Sequence, residues 1–582
     1  MSHPTSLNNS QIAEFFTKVG DLMQLLGENR FKIRAYRRAA ETIKGLPRDI
    51  NLDYRAGKLT KISGIGKAIA EKISEIIETG RLEYLERLEA QIPAGVAALM
   101  KVPEVGPKSA MAIYNALGIQ SLDELEAAAE MGELRKIRGL GAKKEQRILA
   151  GIHALRRRSD RSLLGVALPR AESILAALQG HDEVGSHILR ADVAGSLRRR
   201  RATIGDIDLL IAADPAHAGA MMSAFQSLPQ VSEILAAGES KSAVRLHSGE
   251  QVDLRVVEPK HWGCALQYFT GSQQHNIQIR RLAQMAGLSL NEYRFRSESG
   301  QEFFCESEEE VYERLGLRWI PPELREDQGE IDAARSNQLP TQVQRGDLRG
   351  DLHMHSTWSD GKSSILEMAQ AARALGYEYI VITDHSQSLA MTGGLNPERL
   401  IEQRHEIINV NAQFDDFTVL QGAEVEIKAD GSLDYPDNVL AQLDVVIASM
   451  HTGIRGDRAT LTQRILNAIH NPHVDLIGHL TNRLLGKREG ADLDLDAILQ
   501  AAAQTGTILE INSQPQRLDL DPTHARQALQ YGCLLAINSD AHTTAGLHHV
   551  RYGIMQARRA WAEADHIINT RPLQQLLTYI QR

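Results

Sequence analysis

The chain has 582 residues and a formal net charge of −9, and its length corresponds to about three to five domains. A hydrophobic fraction of 43% excludes a wholly disordered protein, and three scattered cysteines without a CxxC pair argue against disulfide frameworks and thiolate zinc sites. No apolar run approaches the roughly 18 residues of a membrane span and no secretory leader is recognisable, so a cytoplasmic protein is expected.

The net charge is divided unevenly along the chain. Residues 1–165 carry 27 Lys and Arg against 20 Asp and Glu, a net charge of +7, whereas residues 346–582 carry 19 against 29, a net charge of −10. Thirteen of the 21 histidines also follow residue 346. This division predicts two functional regions, with nucleic-acid contacts in the first and metal chemistry in the second.

The N-terminal region has helical periodicity, interrupted by three similar glycine turns. Glycine allows a tight turn and a close backbone approach, and the amides that begin the next helix can bind a phosphate. Three copies on a positive segment favour a DNA-backbone interface over simple tight connections, and they resemble helix-hairpin-helix motifs. In the second copy, Glu104 replaces the first glycine and would repel a phosphate. The candidate DNA-binding residues are Gly64, Gly66, Lys67, Gly106, Lys108, Gly139, Gly141 and Lys143.

From about residue 165, short apolar strands at 207–212 and 252–257 alternate with helical stretches. Asp206 and Asp208 are two positions apart, so a strand would present both carboxylates on one face, and Asp253 belongs to the other strand. Adjacent carboxylates require a cation, and three can hold two metal ions that activate a 3′-hydroxyl and hold a triphosphate. The run Arg198–Arg201 taken alone is typical of a solvated charged surface.

Five stretches of the N-terminal 320 residues together resemble X-family DNA polymerases of the DNA polymerase beta type. They are FKIRAYRRAAETI (31–43), GIGKAIAEKI (64–73), GSLRRR with GDIDLL (195–210), VDLRVV (252–257) and YFTGSQQHN (268–276).

The resemblance implies a role for each matching residue. Asp206, Asp208 and Asp253 would hold two Mg²⁺ or Mn²⁺ ions; Gly195, Ser196, Arg199 and Gly205 would surround the triphosphate; Tyr268, Phe269 and Gly271 would contact the deoxyribose; Asn276 would contact the minor groove and Arg280 the template. Gln251 stands where the family often has arginine.

Lys72 has two interpretations. Lyase-active members of the family form a Schiff base with an abasic sugar through a lysine at this position, whereas an ordinary solvated helix lysine would pair with Glu71 or Glu75. The second interpretation is slightly favoured.

After residue 350, apolar strand-like runs alternate with helical segments in about seven units, which predicts either a parallel barrel or a doubly wound sheet. His, Asp and Glu residues recur at the ends of these runs, where such folds build active sites, and mixed N and O ligands suit Zn²⁺, Mn²⁺ or Fe. Other histidines, His549 among them, do not follow this pattern and are expected to be surface or structural residues. The candidate metal ligands are His353, His355, Asp360, His385, Glu424, His451, His479, Asp540 and His542.

This part resembles the PHP (polymerase and histidinol phosphatase) domain. The resemblance implies a distorted (β/α)7 barrel with up to three metal ions, with Glu424 as the bridging carboxylate and phosphoester hydrolysis as the reaction. Arg483 and Lys487, in the loop after His479, are candidate phosphate contacts.

The expected fold is therefore multidomain: helical helix-hairpin-helix domains, an α/β nucleotidyltransferase palm with a thumb, and a PHP barrel. The expected boundaries are 1–84 (lyase-like), 85–160 (fingers-type), 161–259 (palm), 260–320 (thumb), 321–346 (polar linker) and 347–582 (PHP domain).

The expected function is template-directed gap filling in base excision repair, fused to a 3′–5′ exonuclease or 3′-end-processing activity, with abasic-site endonuclease as a further possibility. The expected partners are gapped or primer-template DNA and dNTP, with no membrane, for a monomer associated with the nucleoid of a bacterium. Two alternatives remain: a DNA-tethered small-molecule phosphatase and a non-catalytic scaffold that binds DNA ends.

Overall fold

The computed structural model describes residues 9–26, 28–44, 46, 50–62, 64–89, 96–100, 102, 105–157 and 161–580. The chain forms two compact units, residues 1–160 and residues 161–582. None of the helices in these described ranges combines the length and apolar character needed to cross a membrane.

The first unit is helical. The apolar stripe predicted for its first helix is buried, because Ile12, Phe16, Val19 and Met23 recur on one helical face and are inaccessible to solvent. The helices are α1 (Asn9–Leu25), α2 (Arg30–Lys44), α3 (Ile50–Arg55), α4 (Lys67–Thr79), α5 (Glu83–Glu89), α6 (Val96–Leu99), α7 (Pro107–Leu117), α8 (Leu122–Glu130) and α9 (Ala142–Arg157).

The second unit begins with an α/β palm. Its five-stranded sheet has the order β2-β4-β7-β6-β5, with β4 and β7 parallel and the other pairs antiparallel, and it contains both predicted strands. The elements are β1 (Ser162–Leu163), α10 (Leu164–Gln179), β2 (Arg190–Val193), α11 (Gly195–Arg198), β3 (Thr203–Ile204), β4 (Ile207–Ala212), α12 (Pro215–Gln226), β5 (Val231–Ala237), β6 (Lys241–Leu246) and β7 (Gln251–Val257).

A thumb follows the palm and ends in a packed connection to the barrel. Residues 321–346 were expected to be a polar linker, but Leu324, Arg325 and Ala334 are buried because they pack with the thumb core or form buried ion pairs. The elements are α13 (Trp262–Thr270), α14 (Gln273–Met285), β8 (Leu288–Leu290), β9 (Phe295–Ser297), β10 (Glu302–Phe303), α15 (Glu308–Glu313) and α16 (Glu330–Arg335).

The C-terminal part forms a seven-stranded parallel sheet whose strands follow one another in chain order. A parallel bridge between Met354 and Ala541 brings the first and last strands together, which confirms the barrel and excludes the doubly wound sheet. The strands are β11 (Gly350–Asp351), β12 (Tyr379–Ile382), β13 (Thr418–Glu426), β14 (Val445–Ser449), β15 (Leu476–Ile477), β16 (Ile508–Asn512) and β17 (Leu535–Asn538).

Helices cover the outside of the barrel, so strands such as β14, β16 and β17 are buried along their whole length. These helices are α17 (Ile365–Ala374), α18 (Pro397–Asn411), α19 (Asp437–Leu440), α20 (Arg458–Ile469), α21 (Leu495–Thr505), α22 (Pro522–Tyr531), α23 (Val550–Arg559) and α24 (Leu573–Ile580).

The barrel packs tightly against the palm. Leu518 and Tyr552 of the barrel are buried within the palm's hydrophobic core. A Cβ atom on Gly165 would lie only 2.5 Å from the side chain of Pro515, so this contact requires glycine. The palm and the barrel therefore meet through a shared apolar core.

Candidate active sites

The first and third glycine turns have the same backbone geometry. Gly64 and Gly139 both adopt φ +90°, a conformation that favours glycine. In each turn a main-chain hydrogen bond of 3.0 Å closes the loop, from Ile65 to Ile62 and from Leu140 to Ile137. These turns place the amino termini of α4 and α9 at exposed positions.

The residues around these helix starts are accessible. Gly66, Gly106 and Gly141 are exposed, and a Cβ atom at any of the three would have no neighbouring atom within 4 Å. Lys67 and Lys143 are exposed as well. Such an arrangement suits the close approach of a phosphate backbone. Glu104 and the side chain of Lys108 lie outside the described residues.

Lys72 lies on α4 and is partly buried. Its Nζ atom is 5.2 Å from the ring centroid of Tyr84, whose ring in turn stacks on that of Tyr36 at 5.8 Å. Lys72 is therefore held against an aromatic surface, a contact that sequence spacing does not indicate.

The three palm aspartates come together at the amino-terminal ends of two neighbouring strands. Asp208 and Asp253 lie directly opposite each other on the parallel strands β4 and β7, and Asp206 lies in the bend that immediately precedes β4. Burial and the negative charges of Asp253 and Asp206 raise the pKa of Asp208 to about 6. A divalent cation would relieve this repulsion, so the residues present fit a metal site.

Neighbouring residues shape the aspartate cluster. A Cβ atom on Gly195 would lie 2.0 Å from the Asp208 carboxylate, so only glycine fits at this position, where φ is +57°. Gln251 donates a hydrogen bond of 3.1 Å to Asp253. Arg255, two positions after Asp253, lowers the pKa of Asp208 slightly against the larger effects that raise it. Sequence reasoning did not identify Arg255.

A cavity of about 340 Å³ in the second unit brings the predicted nucleotide-binding residues together. Its lining includes Arg199, Tyr268, Phe269, Gly271, Asn276 and Arg280. Asn276 donates to the main-chain oxygen of Tyr268 at 2.7 Å and accepts from Gln267 at 2.8 Å, so its side chain is fixed in place. Arg280, expected at the template strand, lines this same cavity. Ser196 lies in α11 and Gly205 lies beside Arg161.

The arginine run is not a solvated surface, contrary to the interpretation of that run taken alone. Arg198 forms a bidentate pair with Glu308 at 2.8 and 2.9 Å, and Arg199 pairs with Glu326 at 3.1 Å. These acidic partners lie more than 100 positions away along the chain, so the local run of charge gave no indication of them.

The nine candidate ligands of the barrel converge at the carboxyl ends of its strands. Glu424 lies at the centre, with His385 at 3.0 Å, His451 at 3.2 Å, His479 at 2.8 Å and His353 at 3.5 Å from its carboxylate oxygens. Four histidines thus surround one carboxylate, a donor set of the kind that holds metal ions.

Asp360 and Asp540 complete the cluster on the other side of His355. Asp360 lies 3.5 Å from His385 and 3.4 Å from His542, and Asp540 lies 3.3 Å from His355. In the described part of the chain, three groups have ligand atoms that all lie within 4.8 Å of one another, and all three belong to this barrel. The palm aspartates do not form so tight a group.

Several buried polar atoms of the barrel cluster have no hydrogen-bond partner, which fits a metal site. The Nδ1 atoms of His355, His385 and His479 and Oε1 of Glu424 are buried without a hydrogen bond, and the Nε2 atoms of His353 and His355 face each other at 3.3 Å. Buried groups of this kind normally require a partner, and imidazole with carboxylate is a typical donor set for Zn²⁺, Mn²⁺ or Fe.

Two carboxylates on the side away from the cluster orient His353 and His451. Glu510 accepts from His353 Nδ1 at 2.7 Å, and Glu426 accepts from His451 Nδ1 at 2.7 Å, which leaves both Nε2 atoms facing the cluster. Sequence reasoning missed these residues, although an acidic residue inside an apolar strand was an available signal.

A second cavity, of about 400 Å³, adjoins the barrel cluster and is lined by Arg517, Asp540, His542 and His549 among others. His549, expected to be a surface or structural residue, therefore lies beside the site. Arg483 is bound to the main-chain oxygens of Arg517 and Leu518 and to Asp521, whereas Lys487 is exposed. Arg517, which donates to Asn482 Oδ1 at 2.6 Å, lines this cavity, whereas Arg483 does not.

Family models match four parts of the chain. They describe a helix-hairpin-helix domain (residues 7–82), a SAM-like helix-hairpin-helix tandem (96–154), a DNA polymerase beta thumb (265–326) and a PHP domain (351–514). These matches confirm the resemblance to both families.

Relatives of two kinds are found among known proteins. The DNA polymerase/3′-5′ exonuclease PolX of Bacillus subtilis (strain 168) is 37% identical over 99% of this chain and 100% of its own length. A "probable phosphatase" of Thermoanaerobacter sp. (strain X514) is 30% identical over 38% of this chain and 89% of its own length. Another, from Caldanaerobacter subterraneus subsp. tengcongensis, is 32% identical over 33% of this chain and 75% of its own length. By its full-length similarity and its thumb and PHP domains, the chain belongs to the PolX family of X-family DNA polymerases with a 3′–5′ exonuclease.

Proposed function

We propose that the palm fills short gaps in DNA during base excision repair and that the barrel removes nucleotides from the 3′ end. The observation that carries this proposal is the presence of two different ligand clusters in one unit: a carboxylate cluster in the palm and a histidine–carboxylate cluster in the barrel. The partners would be gapped or primer-template DNA and dNTP, acted on by a monomer in the cytoplasm, near the nucleoid.

In the palm, Asp206, Asp208 and Asp253 would hold two Mg²⁺ or Mn²⁺ ions. These ions supply activation of the primer 3′-hydroxyl and charge neutralisation at the triphosphate. Gln251 orients Asp253 through its hydrogen bond, and the glycine at position 195 leaves room for the Asp208 carboxylate. The protein's own contribution is thus to hold three carboxylates in a fixed arrangement.

The cavity beside the palm would hold the incoming nucleotide. Arg199 would contact the triphosphate together with Gly195, Ser196 and Gly205. The edge-to-face rings of Tyr268 and Phe269, 5.1 Å apart, form a wall that would exclude a 2′-hydroxyl together with Gly271. Asn276 and Arg280 would contact the nascent pair and the template.

The helical unit would bind the DNA backbone without sequence preference. The exposed glycine turns and Lys67, Lys108 and Lys143 provide amide donors and positive charge for phosphates. Lys72 would add lyase activity by forming a Schiff base with an abasic sugar. Borohydride trapping on 5′-deoxyribose-phosphate DNA tests this role, and an unchanged signal in Lys72→Ala would overturn it.

In the barrel, the nine ligands would hold up to three Zn²⁺, Mn²⁺ or Fe ions. These ions supply a nucleophile from water and stabilise the charge that develops on the phosphoester. Glu510 and Glu426 fix the ring orientation of His353 and His451, and Arg517 would hold a non-reacting phosphate oxygen in the adjoining cavity.

The experiment that tests the function compares DNA and small-molecule substrates. On a one-nucleotide gap, the protein should add the templated nucleotide, and without dNTP it should shorten the primer from its 3′ end with Mn²⁺ present. Faster turnover of histidinol phosphate than of a 3′-terminated oligonucleotide would instead support a DNA-tethered small-molecule phosphatase. Absence of extension on every gapped substrate would support a non-catalytic end-binding scaffold.

A second activity of the barrel is removal of a 3′-phosphate, which the similarity to the probable phosphatases favours. A primer that ends in a 3′-phosphate tests it, because release of inorganic phosphate must precede extension. Release of the whole terminal nucleotide, with no free phosphate, would contradict it.

A further inference from the structure

The last turn of the barrel helix α23 contacts the palm segment that carries Arg199. Arg559 Nη1 donates to the main-chain oxygen of Arg199, and Gln556 Nε2 donates to that of Arg200 at 3.2 Å. Gln556 is fully buried and the Arg559 side chain is 11% exposed. The barrel therefore supplies hydrogen-bond donors to two consecutive residues of the palm's candidate nucleotide site.

Arg559 and Arg199 also share one acidic partner. Oε1 of Glu326 lies 3.1 Å from Arg199 and 3.1 Å from Arg559, and Oε2 lies 3.2 Å from Arg201. Burial alone would raise the pKa of Glu326, but Arg559, Arg199 and Arg201 outweigh that effect and hold it at about 2. One ionised carboxylate thus faces three guanidinium groups.

This cluster lies beside the nucleotide cavity, because Arg199 belongs both to the cluster and to the cavity lining. A triphosphate that enters the cavity must compete with Glu326 for the Arg199 guanidinium. Since Arg559 occupies the same oxygen of Glu326 as Arg199 does, it weakens the hold of Glu326 on Arg199. The main-chain contact from Arg559 meanwhile fixes the position of the Arg199 backbone.

We propose that Arg559 of the barrel is a positioning residue of the polymerase reaction, which acts through Glu326 to make Arg199 available to the incoming nucleotide. The inference rests on the proposed role of Arg199 in triphosphate binding. The helix that carries Arg559 is itself fixed, because Ile554 and Ala557 are buried in the barrel core. The barrel is thereby part of the nucleotide-binding apparatus of the palm.

The same helix offers a matched control. Arg551 pairs with Glu172 of α10 at 3.0 Å, so it too links barrel and palm, but it has no contact with Glu326 or with the 199–201 segment among its described contacts. Arg551→Ala removes another ion pair at the same interface, with side chains 39% and 53% exposed against 11% and 13% for the Arg559–Glu326 pair. A general loosening of the interface would change KM in both variants.

The test measures KM for the templated dNTP, and kcat, for single-nucleotide insertion into gapped DNA. We expect Arg559→Ala to raise this KM roughly five- to twentyfold, the lower part of the usual range for coupling between sites, with little change in kcat or in 3′-end degradation. Arg559→Lys should raise KM less than Arg559→Ala does. Arg551→Ala should leave KM unchanged.

Glu326→Gln provides a second test that does not depend on Arg559→Ala folding well. Loss of the carboxylate charge removes the ion pair of Arg199 and leaves its hydrogen bond to the main-chain oxygen of Thr270, so KM for dNTP should fall. Because the charge of Arg559 acts through Glu326, Arg559→Ala should raise KM much less in the Glu326→Gln background than in the wild type, where only the loss of its main-chain contact to Arg199 would remain. Additive effects would overturn the proposal.

Arg199→Ala separates failure of this inference from failure of the proposed function. An unchanged KM in Arg199→Ala would overturn the assignment of the nucleotide site itself. A raised KM in Arg199→Ala together with an unchanged KM in Arg559→Ala would overturn only the role of the barrel. Equal changes in Arg559→Ala and Arg551→Ala would also overturn it.

Discussion

The palm and the barrel both gather carboxylates on parallel strands, but their surroundings differ. The palm places Asp206, Asp208 and Asp253 at the amino-terminal ends of two strands, where burial and mutual repulsion raise the pKa of Asp208. The barrel places nine candidate ligands at the carboxyl ends of its strands, where histidines offset the charge of Glu424 and further carboxylates orient the histidines.

This difference indicates two modes of metal use. A sparse oxygen-only site beside a nucleotide cavity is suited to metal ions that arrive with a triphosphate, since its ligands alone do not complete a coordination shell. A histidine-rich site with oriented ligands is suited to ions that remain bound between turnovers. Variants that remove a candidate ligand or its supporting residue from one site alone test whether the two sites differ in this way.

The largest expected effects come from removing one ligand of each site. Asp208→Ala should reduce primer extension on the order of 10³-fold and leave 3′-end degradation intact, because several kcal/mol of charge stabilisation disappear from the palm alone. His355→Ala should have the reverse effect. Parallel extension and degradation assays on one gapped substrate measure both activities. Loss of both activities in either variant would contradict the assignment of extension to the palm and degradation to the barrel.

A smaller loss, in stability, is expected at the support of the palm's arginine run. Glu308 is buried between Arg198 and Arg325, at 2.8 and 2.5 Å, so Glu308→Gln leaves buried positive charge without its partner and should cost about 3–5 kcal/mol. Urea unfolding measures this loss, with the exposed neighbour Glu309→Gln as control.

The pH dependence of the same variant gives an independent measure. Burial would raise the pKa of Glu308, but Arg325 and Arg198 lower it to about 2, below the value of about 4.3 expected in the unfolded chain. The stabilisation is therefore present above pH about 4 and is lost as the pH falls towards 2. The difference between wild type and Glu308→Gln should shrink over that range; a constant difference would contradict this account.

A more moderate effect, on metal affinity, is expected from the carboxylates that support the barrel histidines. Glu510→Gln should weaken metal binding roughly 10–100-fold, because His353 loses the carboxylate that fixes its ring orientation. Competition with a chelator measures the affinity, and the exposed Glu489→Gln should match wild type. An unchanged metal affinity in Glu510→Gln would show that the hydrogen bond from His353 to Glu510 does not contribute to metal binding. The supporting carboxylates would then not distinguish the barrel from the palm.

The smallest effect is expected in the helical unit, where binding is distributed over several backbone amides. Lys143→Ala should reduce the slope of log affinity against log salt concentration by about one, uniformly over DNA sequences. Lys18, paired with Glu14 on α1 at 3.1 Å, provides a charge-matched control. The hairpin role of Lys143 fails if Lys18→Ala changes the slope equally.

Strand-based reasoning from the sequence identified much of the fold. The strand at 207–212 and the alternation after residue 350 follow from apolar periodicity, because buried parallel strands are short and apolar and their ends point to one edge. That common edge is why His353, Glu424 and Asp540, far apart in sequence, could be grouped from the sequence alone.

Contacts between distant segments could not be predicted in this way. The partners of Arg198 and Arg199 are Glu308 and Glu326, and nothing in the local pattern of residues 198–201 indicates them. For the same reason residues 321–346, polar in composition, were expected to be a linker although Arg325 and Glu326 pair with the palm's arginines or the thumb. Burial of charge depends on tertiary pairing, which composition does not encode.

The comparison between the two sites is tested most directly by the metal content of the purified protein after desalting without nucleotide. We expect wild type and Asp208→Ala to retain the same amount of metal, and Glu424→Ala, which lacks the central carboxylate of the barrel, to lose most of it. Loss of metal in Asp208→Ala, or full retention in Glu424→Ala, would contradict the account of a resident barrel metal site and a nucleotide-dependent palm site.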